Sequence, residues 1–145
     1  MQEKKFRDFI WKNFEKIIDK ADIGITWGIQ IQFFDYDERN LDETETEFVI
    51  SPAVELKEVT LLVYDRVRKY YQSKQFDRII GGLCHEVGHM VCAPLDELVV
   101  QPFKSEKEVE KIDELLATTI GGYLYKILNY GENTSAKRTR KHKKK

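Results

Sequence analysis

Two histidines and the glutamate that follows the first of them are the residues of this chain best suited to chemistry. His85, Glu86 and His89 form a His-Glu-x-x-His sequence, and the chain has only 3 histidines in 145 residues. On a helix, residues four apart lie one above the other, so both imidazoles can bind one ion. Glu86 is rotated by about 100° from His85, where its carboxylate can reach water held by that ion. The spacing predicts a zinc site with nitrogen ligands and a carboxylate that takes a proton from bound water.

The hydrophobic pattern around this motif predicts that it lies on a helix. Apolar residues recur every three or four positions; they are Phe76, Ile79, Ile80, Leu83, Val87 and Val91. At about 100° per residue, their stripe centres nearly opposite the two histidines. We therefore expect a helix from about Gln75 to Cys92, ended by Pro94, that buries its apolar side and turns the histidines toward a cleft.

A zinc site of this kind uses three protein ligands and leaves one position for water, so a third ligand is required. Leu95 stands where an extended motif would place a third histidine, and the remaining histidine, His142, lies near the C-terminus. A carboxylate from a second helix is therefore expected. Residues from about Glu106 to Tyr130 have the periodicity of that helix, with the apolar stripe Val109, Ile112, Leu116, Ile120, Leu124 and Ile127.

The candidates on this second helix are Glu108, Glu110, Asp113 and Glu114. Glu108 is early and exposed, and Asp113 projects close to the apolar stripe. The flank around Glu114 is made of small residues, which let two helices approach closely; they are Ala117, Thr118 and Gly121. Gly88, which has no side chain, leaves matching space on the motif helix. We predict Glu114 as the third ligand, Glu110 as its alternative, and Thr118 as a residue that orients a ligand.

The other segments predict an α+β fold. Residues 3–20 form an amphipathic helix, and residues 25–34 alternate apolar and polar side chains as a strand does. Two or three short strands follow between residues 48 and 64, one of them at a sheet edge because Pro52 lacks a donor. A short helix from Asp65 to Tyr71 precedes the motif helix. We expect a small twisted mixed sheet of three to four strands beside these helices.

Charge is distributed unevenly along the chain. The net charge is -1, yet residues 137–145 contain seven Lys or Arg, which leaves a net charge of -8 on the rest. We expect one folded domain over residues 1–130 and a disordered basic tail over residues 131–145. Such a tail is suited to nucleic acid or an acidic partner, and a solvated tail without a binding role is the alternative.

Composition also bears on the compartment. The sequence has no apolar run of signal-peptide type and none of membrane-spanning length, so no membrane association is expected. Cys84 and Cys92 are eight residues apart on the motif helix, too far for a bridge if both are helical. A reduced, cytoplasmic protein is the simpler interpretation.

The two motifs together resemble a known family. His85-Glu-Val-Gly-His89, followed by Glu114-Leu-Leu-Ala117-Thr118, resembles the glutamate-zincins (gluzincins), and most closely the small phage- and prokaryote-type metallopeptidases of the ImmA/IrrE group. That group typically has a His-Glu-x-Gly-His helix and then Glu-x-x-Ala-Asn-x-Phe-Ala. Here Thr118 replaces the Asn, and Ile120 and Gly121 replace the Phe and Ala. The resemblance covers roughly residues 3–130.

The resemblance implies a minimal zincin-like domain and a zinc-dependent endopeptidase, a hydrolase of protein or peptide substrates. In it, Zn²⁺ bound by His85, His89 and Glu114 activates a water molecule, and Glu86 is the general base. By the same resemblance, the strand Val59–Tyr64 would line the cleft and pair with an extended peptide.

Two points stay open at this stage. Tyr64 and Tyr123 are both candidates to stabilise the oxyanion, and the sequence does not choose between them. The alternative function is a non-catalytic, zinc-containing regulatory or binding module whose basic tail contacts nucleic acid or an acidic partner.

Overall fold

In the described part of the chain, four helices and a three-stranded sheet make up a fold of the α+β class expected from the sequence. The structure, a computed structural model, describes residues 2–21, 28–34, 46–54, 56–99 and 105–142; for residues 94–99, 106 and 130–142 it describes the backbone alone. The elements, in chain order, are helix α1 (Gln2–Ala21), strands β1 (Gly28–Phe34), β2 (Phe48–Ala53) and β3 (Glu58–Tyr64), and helices α2 (Asp65–Gln72), α3 (Phe76–Val99) and α4 (Glu106–His142).

The sheet is mixed and has the order β1-β3-β2. Strand β1 runs parallel to β3, and β2 runs antiparallel to it. Val59, Leu61 and Val63 alternate along β3 and are at most 1% exposed, so this face of the central strand packs against the helices. The predicted edge strand containing Pro52 is β2, as expected. Residues 25–27, the predicted start of β1, lie outside the described residues.

The place of β3 corrects one expectation. The Val59–Tyr64 segment was expected to pair with a peptide, but both of its edges already carry a neighbouring strand. A strand can offer backbone groups to a peptide only along a free edge. Among the strands that line the cleft described below, β2 has such an edge.

Helix α3 lies at the centre of the core. Ile79, Leu83 and Val87, which belong to its predicted apolar stripe, are fully buried. Helix α1 adds four side chains with helical spacing to the same cluster: Phe6, Ile10, Phe14 and Ile17. Helices α1 and α2, strand β2 and helix α4 all contact α3. The packing therefore fixes the rotation of the helix that carries the His-Glu-x-x-His motif.

The ends of two helices differ from the prediction. Helix α3 continues through Pro94 to Val99 instead of ending there. Proline removes one helical hydrogen bond, to the carbonyl of Met90, and a helix can continue beyond that loss.

Helix α4 crosses the predicted boundary at residue 130 and continues to His142, where a disordered tail was expected. Residues 132–142 contain no Gly or Pro and include Ala, Lys and Arg, which have high helix propensity. Residues 143–145 lie outside the description.

Both cysteines, Cys84 and Cys92, are buried on α3 and form no disulfide. None of the helices in the described part of the chain combines the length and apolar character needed to span a membrane.

Candidate metal centre

Two glycines bring α3 and α4 close enough to share a site. A Cβ atom on Gly88 would lie 2.9 Å from the Cα of Ala117 and even closer to its carbonyl oxygen. A Cβ atom on Gly121 would lie 2.8 Å from both the carbonyl oxygen of Cys84 and the Cα of His85. Larger residues could not occupy either position without separating the helices. The small-residue contact predicted from the sequence is therefore present, and it places the start of α4 beside the two histidines.

The predicted ligand atoms converge at this contact. The Nε2 atom of His85 lies 3.2 Å from one carboxylate oxygen of Glu114, and that of His89 lies 3.4 Å from the other. The two Nε2 atoms are 3.1 Å apart. Ligand atoms placed tetrahedrally at the usual distances around zinc are about 3.3–3.4 Å from one another. Among the described residues, these three make the group of His, Cys, Asp or Glu side chains able to hold a metal ion.

A carboxylate from α4 determines which nitrogen of His89 faces this group. The Nδ1–H of His89 donates to Asp113 across 2.7 Å. With the proton on Nδ1, the lone pair on Nε2 is directed at Glu114 and His85. A carboxylate behind a histidine fixes the ring and increases its basicity, which is the arrangement that metal-binding histidines have.

The environment of His85 favours its neutral form. Burial lowers the pKa of His85, and the neighbouring His89 lowers it further. The carboxylates of Glu114 and Asp113 act in the opposite direction but do not cancel the first two effects. A neutral imidazole can bind a metal ion without first losing a proton, so the site is prepared for a cation near neutral pH.

Glu86 is buried beside the three ligand candidates. Burial raises its pKa from 4.5 to about 7, although the neighbouring His89 and a hydrogen bond from the backbone N–H of Ile50 act against this rise. The nearby Glu114 raises it as well. A pKa close to neutral pH suits a group that must take up a proton and give it back.

The metal-binding group opens into a cleft of about 810 Å³ between β2 and the two helices. The wall formed by β2 contributes Phe48, Val49, Ile50 and Pro52, and the opposite wall is acidic. The start of β2 is held beside α3 because Glu47 accepts hydrogen bonds from Arg78 at 2.6 Å and from the hydroxyl of Tyr70 at 2.9 Å.

Along the edge of β2 that is not paired with β3, backbone groups face this cleft. The Tyr64 N–H donates to the Glu47 carbonyl, and hydrogen bonding alternates along an antiparallel pair. The backbone groups of Phe48, Ile50 and Pro52 are therefore directed away from β3. The bond from Ile50 to Glu86 agrees with this direction. Pro52 occupies a position whose missing N–H would not have bonded to β3.

The other residues considered from the sequence have the following positions. Glu110 lines the cleft but does not belong to the metal-binding group. Thr118 is exposed, and none of the hydrogen bonds described for this structure joins it to a ligand. Neither Tyr64 nor Tyr123 is among the described residues that line the cleft; Tyr64 stacks on Phe34, and Tyr123 is 63% exposed.

Asp113 is the residue that sequence reasoning considered and set aside. Because it lies near the predicted apolar stripe of α4, it was not chosen as a metal ligand. Thr118 was instead predicted as the residue that orients a ligand. The buried side is shifted from the predicted stripe: Leu124 is buried as predicted, but so are Ala117 and Leu128, while Leu116 and Ile127 are 37% and 53% exposed. A rotation toward Ala117 turns Asp113 toward α3. One feature of the sequence could have identified Asp113: it is a second carboxylate immediately before Glu114.

Comparison with protein-family models, with curated proteins and with solved structures returned no match.

Proposed function

We propose that this protein is a zinc metallopeptidase of the glutamate-zincin type. The observation that carries the proposal is the group of two imidazole nitrogens, 3.1 Å apart, and the Glu114 carboxylate, one oxygen of which lies 3.2 or 3.4 Å from each nitrogen, with a buried glutamate next to the first ligand in sequence. A structural zinc site is normally closed by four protein ligands, whereas a catalytic site keeps one position open. Here three candidates meet in an open cleft, and Glu86 has no purpose in a site that only holds the fold together.

The residues divide the work of hydrolysis as follows. Zinc bound by His85, His89 and Glu114 would supply a Lewis acid and lower the pKa of its water to about 7. Glu86 takes the proton of that water and later delivers it to the leaving amine. Asp113 keeps His89 in the tautomer that leaves Nε2 free to bind.

The peptide is proposed to bind along β2. Its outward backbone groups can hydrogen-bond an extended chain, which would then lie over the three ligands and Glu86. Pro52 offers a carbonyl but no N–H, so pairing weakens toward that end of the strand. This assignment moves the peptide from β3, the expected strand, to the neighbouring strand at the edge.

Incubation of the zinc-loaded protein with a diverse peptide mixture, followed by mass spectrometry, tests the proposal. New peptide termini should appear with the wild type and vanish after chelation. Glu86→Gln is the matched control, and it should bind zinc normally while its hydrolysis falls by a factor of about 10²–10⁴. Equal cleavage by this variant would disprove the role of Glu86. Absence of cleavage by the loaded wild type would favour the binding-module alternative.

We also propose a cytoplasmic location. It is supported by the two unbridged cysteines on α3, since thiols persist in reducing compartments.

A further inference from the structure

The first turns of helix α4 carry four carboxylates whose side chains the structure describes, and three of them have a partner within the fold. Glu108 accepts hydrogen bonds from the backbone N–H of Ser105 at 3.0 Å and from its hydroxyl at 2.9 Å, and these bonds cap the helix. Asp113 accepts from His89, and Glu114 lies against both histidines of the candidate metal centre. These three carboxylates are therefore engaged by the helix end or by the metal-binding group.

Glu110 is the fourth carboxylate, and it lines the cleft beside the metal-binding group. Among the described residues, no hydrogen bond or ion pair joins it to another side chain. It precedes Glu114 by one turn, which corresponds to about 6 Å along the helix. Its neighbours Lys107 and Lys111 are not among the described residues that line the cleft. A zinc ion bound by Glu114 would offset charge at the centre itself, so the negative charge of Glu110 remains available to a molecule in the cleft.

The wall across the cleft has the opposite character. Strand β2 contributes an apolar surface to it, and Val49 on this strand is 37% exposed. The described residues that line the cleft include no Lys or Arg. A side chain that enters between the two walls therefore meets apolar groups on one side and a carboxylate on the other.

We propose that the cleft selects peptides with a lysine or arginine close to the scissile bond, and that Glu110 determines this preference. The inference rests on the proposed function, because it requires the peptide to lie along β2. Lysine and arginine have an apolar stem and a cationic tip, so the stem can pack on the β2 wall while the tip reaches Glu110. A short apolar side chain gains only the first contact, and an acidic side chain would be repelled by the second.

The spacing along the cleft is consistent with this assignment. Alternate side chains of an extended peptide recur about every 7 Å on the same face. Glu110 is about 6 Å along α4 from Glu114, the candidate ligand. With the scissile bond at the metal centre, a side chain one or two positions away can therefore reach Glu110.

Retention of peptides on immobilised, zinc-loaded Glu86→Gln protein tests the preference without requiring cleavage. The probe is a mixture of short peptides, each present in two forms that differ only by lysine or norleucine at one central position. Mass spectrometry of the retained fraction gives the ratio of the two forms. Lysine forms should be retained about 3- to 5-fold better, which is the upper part of the range for an exposed ion pair. Adding Glu110→Gln should bring the ratio close to one, and Glu110→Lys should invert it.

Glu15→Gln in the same background is the matched control. It removes the same charge from an exposed position on α1, and Glu15 is not among the described residues that line the cleft. The control should therefore keep the full lysine preference. A ratio near one with Glu110 intact, or retention of no lysine form, would overturn the proposal. So would a ratio that falls equally with Glu15→Gln and Glu110→Gln, because the effect would then come from net charge.

Cleavage of the same mixture by the wild type separates this inference from the proposed function. Equal kcat/KM for the lysine and norleucine forms would overturn the preference and leave the peptidase assignment intact. Retention of lysine forms that depends on Glu110, without any cleavage by the zinc-loaded wild type, would overturn the peptidase assignment. The preference would then be confirmed as a property of a peptide-binding cleft.

Discussion

At the residue scale, the candidate centre depends on which histidine atoms carry protons. His89 has its Nδ1–H engaged by Asp113 at 2.7 Å, so its other nitrogen is left as a metal ligand. Burial lowers the pKa of His85, which favours the neutral imidazole that can bind a metal ion. Neither effect can be read from the His-Glu-x-x-His spacing alone, because both depend on what α4 places against α3.

We predict that Asp113→Ala weakens zinc binding by about 10- to 100-fold, the usual cost of losing the carboxylate behind a metal-binding histidine. Thr118→Ala, on the same helix but exposed, should bind zinc as the wild type does. Competition with a chelating dye measures both affinities. An unchanged affinity for Asp113→Ala, or an equal loss for Thr118→Ala, would contradict the role given to Asp113.

Cys84 provides a prediction about pH. Burial raises the pKa of its thiol from 9.0 to about 12, so the folded state holds this proton more firmly than the unfolded state. The stabilisation is complete below the unfolded pKa and is lost as pH rises from about 9 to about 12. The free energy of unfolding should therefore fall more steeply over this range in the wild type than in Cys84→Ala. Parallel curves for the two proteins would show that the thiol does not ionise on unfolding.

At the scale of elements, the sequence predicted those features that one helix displays by itself. The apolar stripe of α3 is set by residues whose spacing is visible in the chain, and Ile79, Leu83 and Val87 are buried as predicted. The order of the strands in the sheet could not be predicted from the pattern of a single element. It depends on β1 pairing with β3 across a long separation, which removes β3 from the edge.

The rotation of α4 shows why an apolar pattern can mislead. Its apolar residues surround much of the helix, so periodicity placed Leu116 and Ile127 in the same stripe as Leu124, although Leu124 is buried and the other two are 37% and 53% exposed. The buried side is set by Ala117 and Gly121, because close approach to α3 needs small residues more than large apolar ones. The sequence did predict the contact of Gly88 with Ala117 and Gly121, and this contact brings Glu114, the candidate third ligand, to the two histidines.

The close contact of these helices leads to a prediction for Gly88→Ala. The added methyl group would press on the backbone of Ala117, and overpacking of this kind costs about 1–3 kcal/mol. Gly81→Ala is the matched control on the same helix, since a Cβ atom there meets nothing within 4 Å. It should stabilise the helix by up to about 1 kcal/mol. Denaturant unfolding measures both changes, and a Gly88→Ala protein as stable as Gly81→Ala would contradict the described packing.

At the scale of the whole molecule, the candidate centre links two helices that are distant in sequence. His85 and His89 come from α3, and Glu114 comes from α4 beyond an intervening segment. An ion bound by all three would favour the folded state over the unfolded one, and it would do so more strongly as free zinc rises above its dissociation constant. The acidic cleft wall containing Glu110 adds a favourable field for a cation but no further ligand.

The most direct measurement is the zinc content per chain of the wild type, Glu114→Ala and Glu110→Ala, purified side by side without chelator. One zinc per chain is expected for the wild type and for Glu110→Ala, because Glu110 lies outside the ligand group. Glu114→Ala should lose the zinc, and Glu110→Ala with its metal intact shows that the loss is specific. No zinc in any of the three after an attempt at reloading, or zinc lost with Glu110→Ala alone, would contradict a centre built from His85, His89 and Glu114.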